Sequence, residues 1–255
     1  MTNILEVKNI YKSFSRNRKK FYAVEDVSLA LKKGEVLGIV GESGCGKSTL
    51  ASIIVRLLKE ESGNIYFNGN DITNLKQKDL REIRKNIQVV FQDTYGSLNP
   101  SKRVGFILKE TLDINTNLSP QEKEKEINEM LDLVGLGEGF KNRYPHELSG
   151  GERQRINIAA ALILKPTVVI ADEATSALDV GVQSQILNLM SELKKKLNLS
   201  YIFISHDLNV VYYMCDRIAV MKDGKVVEEN ISSEIFYNPK HNYTKKLFDT
   251  VKGVL

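Results

Sequence analysis

At 255 residues, with 42% hydrophobic and 27% charged side chains, the chain has material for one large α/β domain, or for such a domain with an inserted lobe. A net charge of +4 without clustered Lys and Arg argues against a dedicated nucleic-acid binder, and two cysteines, Cys45 and Cys215, exclude a disulfide framework or a four-thiolate metal site. No window approaches the about 18 uncharged apolar residues of a bilayer span, 156–164 coming nearest, and residues 1–7 lack the pattern of a signal segment, so at a membrane another chain would have to hold this one.

In chain order, residues 5–10, 27–31 and 64–67 read as strands of a small antiparallel sheet, with the basic run 16–20 as a solvated loop. The apolar run 36–40 is the first of four, with 87–91, 168–171 and 201–204. Their shortness and lack of alternation suit buried parallel strands. Longer periodic stretches between them, such as 49–58, give strand–helix alternation. From 93 to 155 no strand is legible. Pro120 opens a helical pattern over 121–134 with Ile127, Met130, Leu131 and Val134 on one face. A further amphipathic helix is expected over 153–164. Residues 218–221, Asp223-Gly224 and 226–228 read as a hairpin. The predicted organisation is a single α/β domain over 1–255: an α/β core with an N-terminal antiparallel β subdomain from 1–92 and 156–255, and an inserted helical lobe over 93–155.

The strongest chemical signal is Gly41-Glu42-Ser43-Gly44-Cys45-Gly46-Lys47-Ser48-Thr49, between the strand 36–40 and the helix 49–58. It fits G-x-x-x-x-G-K-[ST] in the context that motif requires. Glycines let the backbone wrap phosphate oxygens so that successive N–H groups form an anion nest, and the helix N-terminus adds positive potential. Lys47 is expected on the β and γ phosphates and the Ser48 hydroxyl on Mg²⁺. The second signal is the strand 168–171 ending in Asp172-Glu173. A carboxylate there stands at the ligand-binding edge of a parallel sheet. Asp172 is expected to hold Mg²⁺ through its water, and Glu173 to polarise the attacking water. Together these residues define a P-loop NTPase using Mg²⁺, and no more. Cys45, beside Lys47 and a helix N-terminus, is expected to favour thiolate, to react with alkylating reagents and to be protected by ATP; Cys215 is expected to be buried and inert.

A third motif narrows the class. Leu148-Ser149-Gly150-Gly151-Glu152 precedes the helix 153–164 and reads as a second Ser-Gly-Gly anion nest. Here the chain resembles the ABC ATPase family, whose LSGGQ signature is reproduced except for Glu152. The resemblance covers essentially the whole chain. It implies two ATP molecules in a head-to-tail pair of subunits, each between the P-loop of one and the signature of the other. By the same resemblance Gln92 is the Q-loop residue touching Mg²⁺ and the nucleophilic water. Asp179, in Ser176-Ala177-Leu178-Asp179, belongs to the D-loop at the dimer interface, and His206 is the switch histidine at the γ-phosphate. Phe14 stands where the family places an adenine-stacking aromatic, with Tyr11 and Tyr22 as alternatives.

Val90-Phe91-Gln92-Asp93, Ser97-Leu98-Asn99-Pro100, Tyr144-Pro145-His146 and Asn238-Pro239-Lys240-His241-Asn242-Tyr243-Thr244 look like the oligopeptide, dipeptide and nickel importer branch, with Asn242 in place of its usual proline. Ala160 replaces an arginine of the family's helix, so a salt bridge of the lobe is expected to be missing or replaced. The chain stops soon after Thr244, where many peptide-importing relatives continue, which keeps nickel or metal chelates beside peptides as solutes. The implied partners are two transmembrane permease subunits, a second ABC ATPase (a related, different chain favoured over a second copy) and, indirectly, an extracytoplasmic solute-binding protein, with no nucleic acid. The implied location is peripheral, on the cytoplasmic face of the cell membrane. The alternative is a soluble, non-transport ABC ATPase acting on nucleic acid or ribosomes.

Overall fold

The computed structural model describes residues 2–16, 19–93 and 96–252, with the backbone alone at 16 and 250–252. In chain order the elements are β1 (Asn3–Arg16), β2 (Lys19–Lys32), β3 (Val36–Val40), α1 (Lys47–Ile54), β4 (Ser62–Phe67), β5 (Asn70–Asp71), α2 (Gln77–Asn86) and β6 (Ile87–Val90). Then come α3 (Val104–Asn115), α4 (Pro120–Leu133), two short 3₁₀ segments (Glu138–Asn142 and Pro145–Glu147), α5 (Gly150–Leu162), β7 (Val168–Asp172) and α6 (Val180–Leu197). The chain ends with β8 (Ser200–Ile204), α7 (Leu208–Met214), β9 (Arg217–Lys222), β10 (Lys225–Ile231), α8 (Ser232–Tyr237) and α9 (Asn242–Lys252). None of the described helices is long and apolar enough to cross a membrane.

Two compact units form: Met1–Arg84 with Ile170–Asp172 and Ser200–Leu255, and Lys85–Val169 with Glu173–Leu199. The predicted lobe, 93–155, lies wholly inside the second unit, which also takes in 85–92, 156–169 and 173–199.

In the first unit β1 pairs antiparallel with both β2 and β4, giving the order β2-β1-β4-β5. β1 and β2 run well beyond the predicted 5–10 and 27–31, because each meets the other's backbone hydrogen bonds along its whole length, through several register shifts. Asn9 and Asp26 take positive φ values of 49° and 54° in this ribbon. The basic run is therefore not all loop: Lys19 and Lys20 begin β2 as exposed strand residues, while Asn17 and Arg18 lie outside the described residues. The other sheet of this unit is built on β3, parallel to β8 on one side and β9 on the other, with β10 antiparallel on β9. Every residue of β3 and β8 is buried, as parallel strands covered on both faces require.

The predicted helix 49–58 is shorter and earlier, Lys47–Ile54. It stops because Arg56 turns to φ 60°, and its guanidinium is pinned by Glu60 and by the Thr73 carbonyl. In the second unit Ser119 caps α4, with Pro120 in the first turn and Glu122 completing a reciprocal capping box. The predicted apolar face, Ile127, Met130, Leu131 and Val134, is buried.

Candidate functional site

The register of the parallel strands decides where the chemistry collects in the first unit. Val36 pairs with Tyr201 and Ile39 with Ile204, so β3 and β8 end at the same edge of the sheet. The phosphate loop leaves that edge after Val40 and His206 follows β8 there. This is the carboxyl edge at which open α/β sheets bind ligands. Asp172, the last residue of β7, belongs to the same unit.

Two glycines of the loop permit its approach to the sheet. Gly46 sits at φ 108°, and a Cβ there would lie 2.0 Å from the Ala23 carbonyl oxygen of β2; a Cβ on Gly41 would lie 2.1 Å from the Met221 carbonyl oxygen of β9. Any other residue would push the loop off both strands. Gly46 also starts α1, whose first turn has neither a side-chain cap nor an acidic residue, so its N–H groups and positive end are left for an anion. Lys47 is buried, and its ammonium donates to the Gly41 and Glu42 carbonyls at 2.8 and 2.9 Å. The Ser48 hydroxyl donates to the Asp172 carboxylate at 3.3 Å, which joins the two expected Mg²⁺ residues. Ser43, Gly44 and Thr49 complete the loop and the first turn of the helix, Ser43 and Gly44 being exposed.

Cys45 corrects the expectation placed on it. Its sulfur lies 3.8 Å from the Lys47 ammonium, yet burial pushes the thiol up from its ordinary value, and Lys47 offsets this only in part. Desolvation of a thiolate outweighs the neighbouring charge, so the thiol is the favoured form. Cys215 is buried, as expected.

Phe14 lies on β1 opposite its cross-strand partner Phe21, ring centroids 6.1 Å apart, and remains 39% exposed. Tyr22 precedes Ala23, whose carbonyl backs Gly46, and stands edge-on to Tyr11 at 6.3 Å. Both aromatic pairs lie on the ribbon that braces the loop, so Phe14, Tyr11 and Tyr22 all stay available as adenine platforms. His206 is exposed between two residues engaged locally: Ser205 accepts from the Asp207 N–H at 3.0 Å, and Asp207 caps α7 through the Asn209 and Val210 N–H groups.

In the second unit Ser149 is the N-cap of α5. Its hydroxyl accepts from the Glu152 N–H at 3.3 Å, while the Glu152 carboxylate accepts from the Ser149 N–H at 2.7 Å. That second bond holds the Glu152 carboxyl below its ordinary value. The capping box is why α5 begins at Gly150 rather than at the predicted 153. Gly150 and Gly151 face the segment carrying Asp179: a Cβ on Gly150 would lie 3.5 Å from Leu178, and one on Gly151 only 2.7 Å from Val182 Cγ1. Asp179 itself caps α6, accepting from the Val182 N–H at 2.9 Å. Glu173 takes φ 49°, rare for a non-glycine residue, and its carbonyl accepts from the Ser176 hydroxyl at 3.0 Å. Gln92 is exposed just after β6. Where the family's arginine would stand, Ala160 lines a cavity of about 230 Å³ together with Phe91, Ser97 and Asn157. Ser97 donates there to Asn157 at 2.9 Å.

One contact escaped the sequence reading. The Glu42 N–H of the phosphate loop donates to the Tyr243 hydroxyl at 3.1 Å. Tyr243 belongs to the Pro239-to-Thr244 element, legible as a branch marker, but no local signal joins residues so far apart in the chain.

The family described as ABC transporter matches residues 24–176. The oligopeptide transport ATP-binding protein AppF of Bacillus subtilis is 49% identical over 256 residues, covering 97% of this chain and 78% of that protein. The dipeptide transport ATP-binding protein DppF of Haemophilus influenzae is 45% identical over 250 residues, covering 97% of this chain and 76% of its own length. Among solved structures, the dimeric post-hydrolysis state of the ATP-binding cassette MJ0796 bound to ADP and Pi matches with a TM-score of 0.80 at 33% identity, over 89% of this chain and 98% of that one. The chain belongs to the ABC transporter family.

Proposed function

We propose that this chain is the ATP-hydrolysing subunit of an importer for oligopeptides or dipeptides. The observation that carries the reading is the convergence of Lys47, Ser48 and Asp172 at the carboxyl edge of the parallel strands, in a chain that also has a capped Ser149-Gly150-Gly151 turn. Both curated relatives described above are named as peptide-transport subunits, which favours peptides over nickel or metal chelates.

In this reading the Lys47 ammonium reaches the β and γ phosphates, and the N–H groups from Gly44 to Thr49 cradle the phosphates. Ser48, Asp172 and Gln92 offer the oxygen donors that suit Mg²⁺, an ion bound through few protein groups plus substrate phosphates. The chemistry expected of that ion is neutralisation of charge on the β and γ phosphates. Glu173 polarises the attacking water and His206 positions it against the γ-phosphate. Phe14, or one of its neighbours Tyr11 and Tyr22, stacks on adenine. Ser149 to Glu152 and Asp179 face the ATP of a second ATPase subunit, a related chain in preference to a second copy. The cavity wall beyond Gln92 transmits closure to two permease subunits at the cytoplasmic face of the membrane, and a solute-binding protein delivers the peptide from outside.

The test is an affinity pull-down of the full chain from detergent-solubilised membranes. Two polytopic membrane proteins and a second ATPase are expected. Recovery of ribosomal or nucleic-acid-processing proteins alone would overturn the transport reading and favour a soluble, non-transport ATPase.

A further inference from the structure

Glu42 is held through both its backbone N–H and its carbonyl. Its carbonyl accepts from the Lys47 ammonium at 2.9 Å and from the Cys45 N–H at 3.3 Å. Its N–H donates to the Tyr243 hydroxyl at 3.1 Å. These tethers differ in one respect. The Lys47 ammonium is also the group the ATP-site reading assigns to phosphate, whereas the Tyr243 hydroxyl serves the loop backbone.

The tyrosine is itself firmly placed. It is 8% exposed, in the first turn of α9. Its backbone N–H donates to His241 Nδ1 at 3.2 Å. The segment before it is fixed by Glu228 of β10, whose two carboxylate oxygens accept from the Lys240 and His241 N–H groups at 2.8 and 2.9 Å. Further along α9, fully buried Phe248 packs edge-on against Phe236 of α8 at 5.8 Å. The Lys222 ammonium covers the tyrosine ring at 5.0 Å from its centroid. A hydroxyl carried on such a frame imposes a position on a mobile partner rather than following it.

We propose that Tyr243 is a positioning residue for nucleotide binding, its hydroxyl fixing the Glu42 N–H so that the phosphate loop holds the shape that binds phosphate. This rests on the reading of the loop as an ATP site. It gives the Pro239-to-Thr244 element a role inside the cassette: it straps the C-terminal helix to the phosphate loop.

The test compares the full chain with Tyr243→Phe, which removes one oxygen and keeps the ring. Loss of one hydrogen bond to a partly buried N–H is expected to weaken MgATP binding about three- to tenfold, and to raise KM for hydrolysis by a similar factor with kcat little changed. Amide exchange, followed in parallel, is expected to speed up across 41–46 and to stay unchanged inside α9. Tyr243→Phe with wild-type affinity would overturn the proposal. So would faster exchange throughout α9, which would make the tyrosine an anchor of the helix only. Absence of MgATP binding by the wild-type chain would instead overturn the ATP-site reading, and this inference with it.

Discussion

The Ser48 hydroxyl donates to the Asp172 carboxylate across 3.3 Å, joining two residues 124 positions apart. In the proposed ATP-site reading the P-loop helix and the end of β7 would hold one cation between them. Asp172→Asn keeps the shape and removes the charge. Loss of a supporting carboxylate at a metal site costs about 10- to 100-fold in metal affinity or activity. A magnesium titration of ATP hydrolysis is expected to shift to higher Mg²⁺ by that factor, and an unshifted titration would remove Asp172 from the site.

Glu173 follows Asp172 in a left-handed backbone conformation, φ 49°. Glu173→Gln is expected to retain MgATP binding and to slow hydrolysis about 10²- to 10⁴-fold, the span for losing a general base. Single-turnover hydrolysis with a parallel binding measurement separates the two effects. Wild-type turnover in the variant would exclude the role.

Burial sets the reactivity of Cys45 against its local sequence. Its thiol is pushed up from the ordinary cysteine value of about 8.5, so the thiolate population at neutral pH is below that of a free thiol. Alkylation by iodoacetamide is therefore expected to be slower than for an unfolded peptide at pH 7, and to climb as pH rises past the ordinary value. A plateau already reached at neutral pH would show a thiolate stabilised by Lys47.

Gly151 is confined by packing, since a Cβ there would meet Val182 Cγ1 at 2.7 Å. Gly151→Ala forces α5 and α6 apart and is expected to destabilise the chain by about 1–3 kcal/mol, the usual cost of overpacking. Val182→Ala in the same chain should recover most of this. Urea unfolding of the single and double variants measures both, and additive effects would contradict the contact.

Much of the site was legible because it is local. The glycine spacing around Lys47 and the carboxylates ending an apolar strand act through backbone geometry within a few residues. Ser149 and Glu152 likewise stand three positions apart, the separation of a capping box, and α5 begins there. The buried strands 36–40 and 201–204 were readable for a similar reason, since two covered faces leave no place for polar residues.

What the tertiary structure decided are the quantities that depend on partners far along the chain. The ribbon length of β1 and β2 follows from each strand finding the other, and the early end of α1 from the pinning of Arg56 by Glu60 and Thr73. The Cys45 thiol depends on how much water the fold removes, an effect that outweighs the nearby Lys47. The Tyr243 hydroxyl reaches Glu42 across 201 positions only because α9 packs back beside the phosphate loop. Local motifs carry their chemistry in the backbone, whereas desolvation and long-range hydrogen bonds exist only once the chain has closed around them.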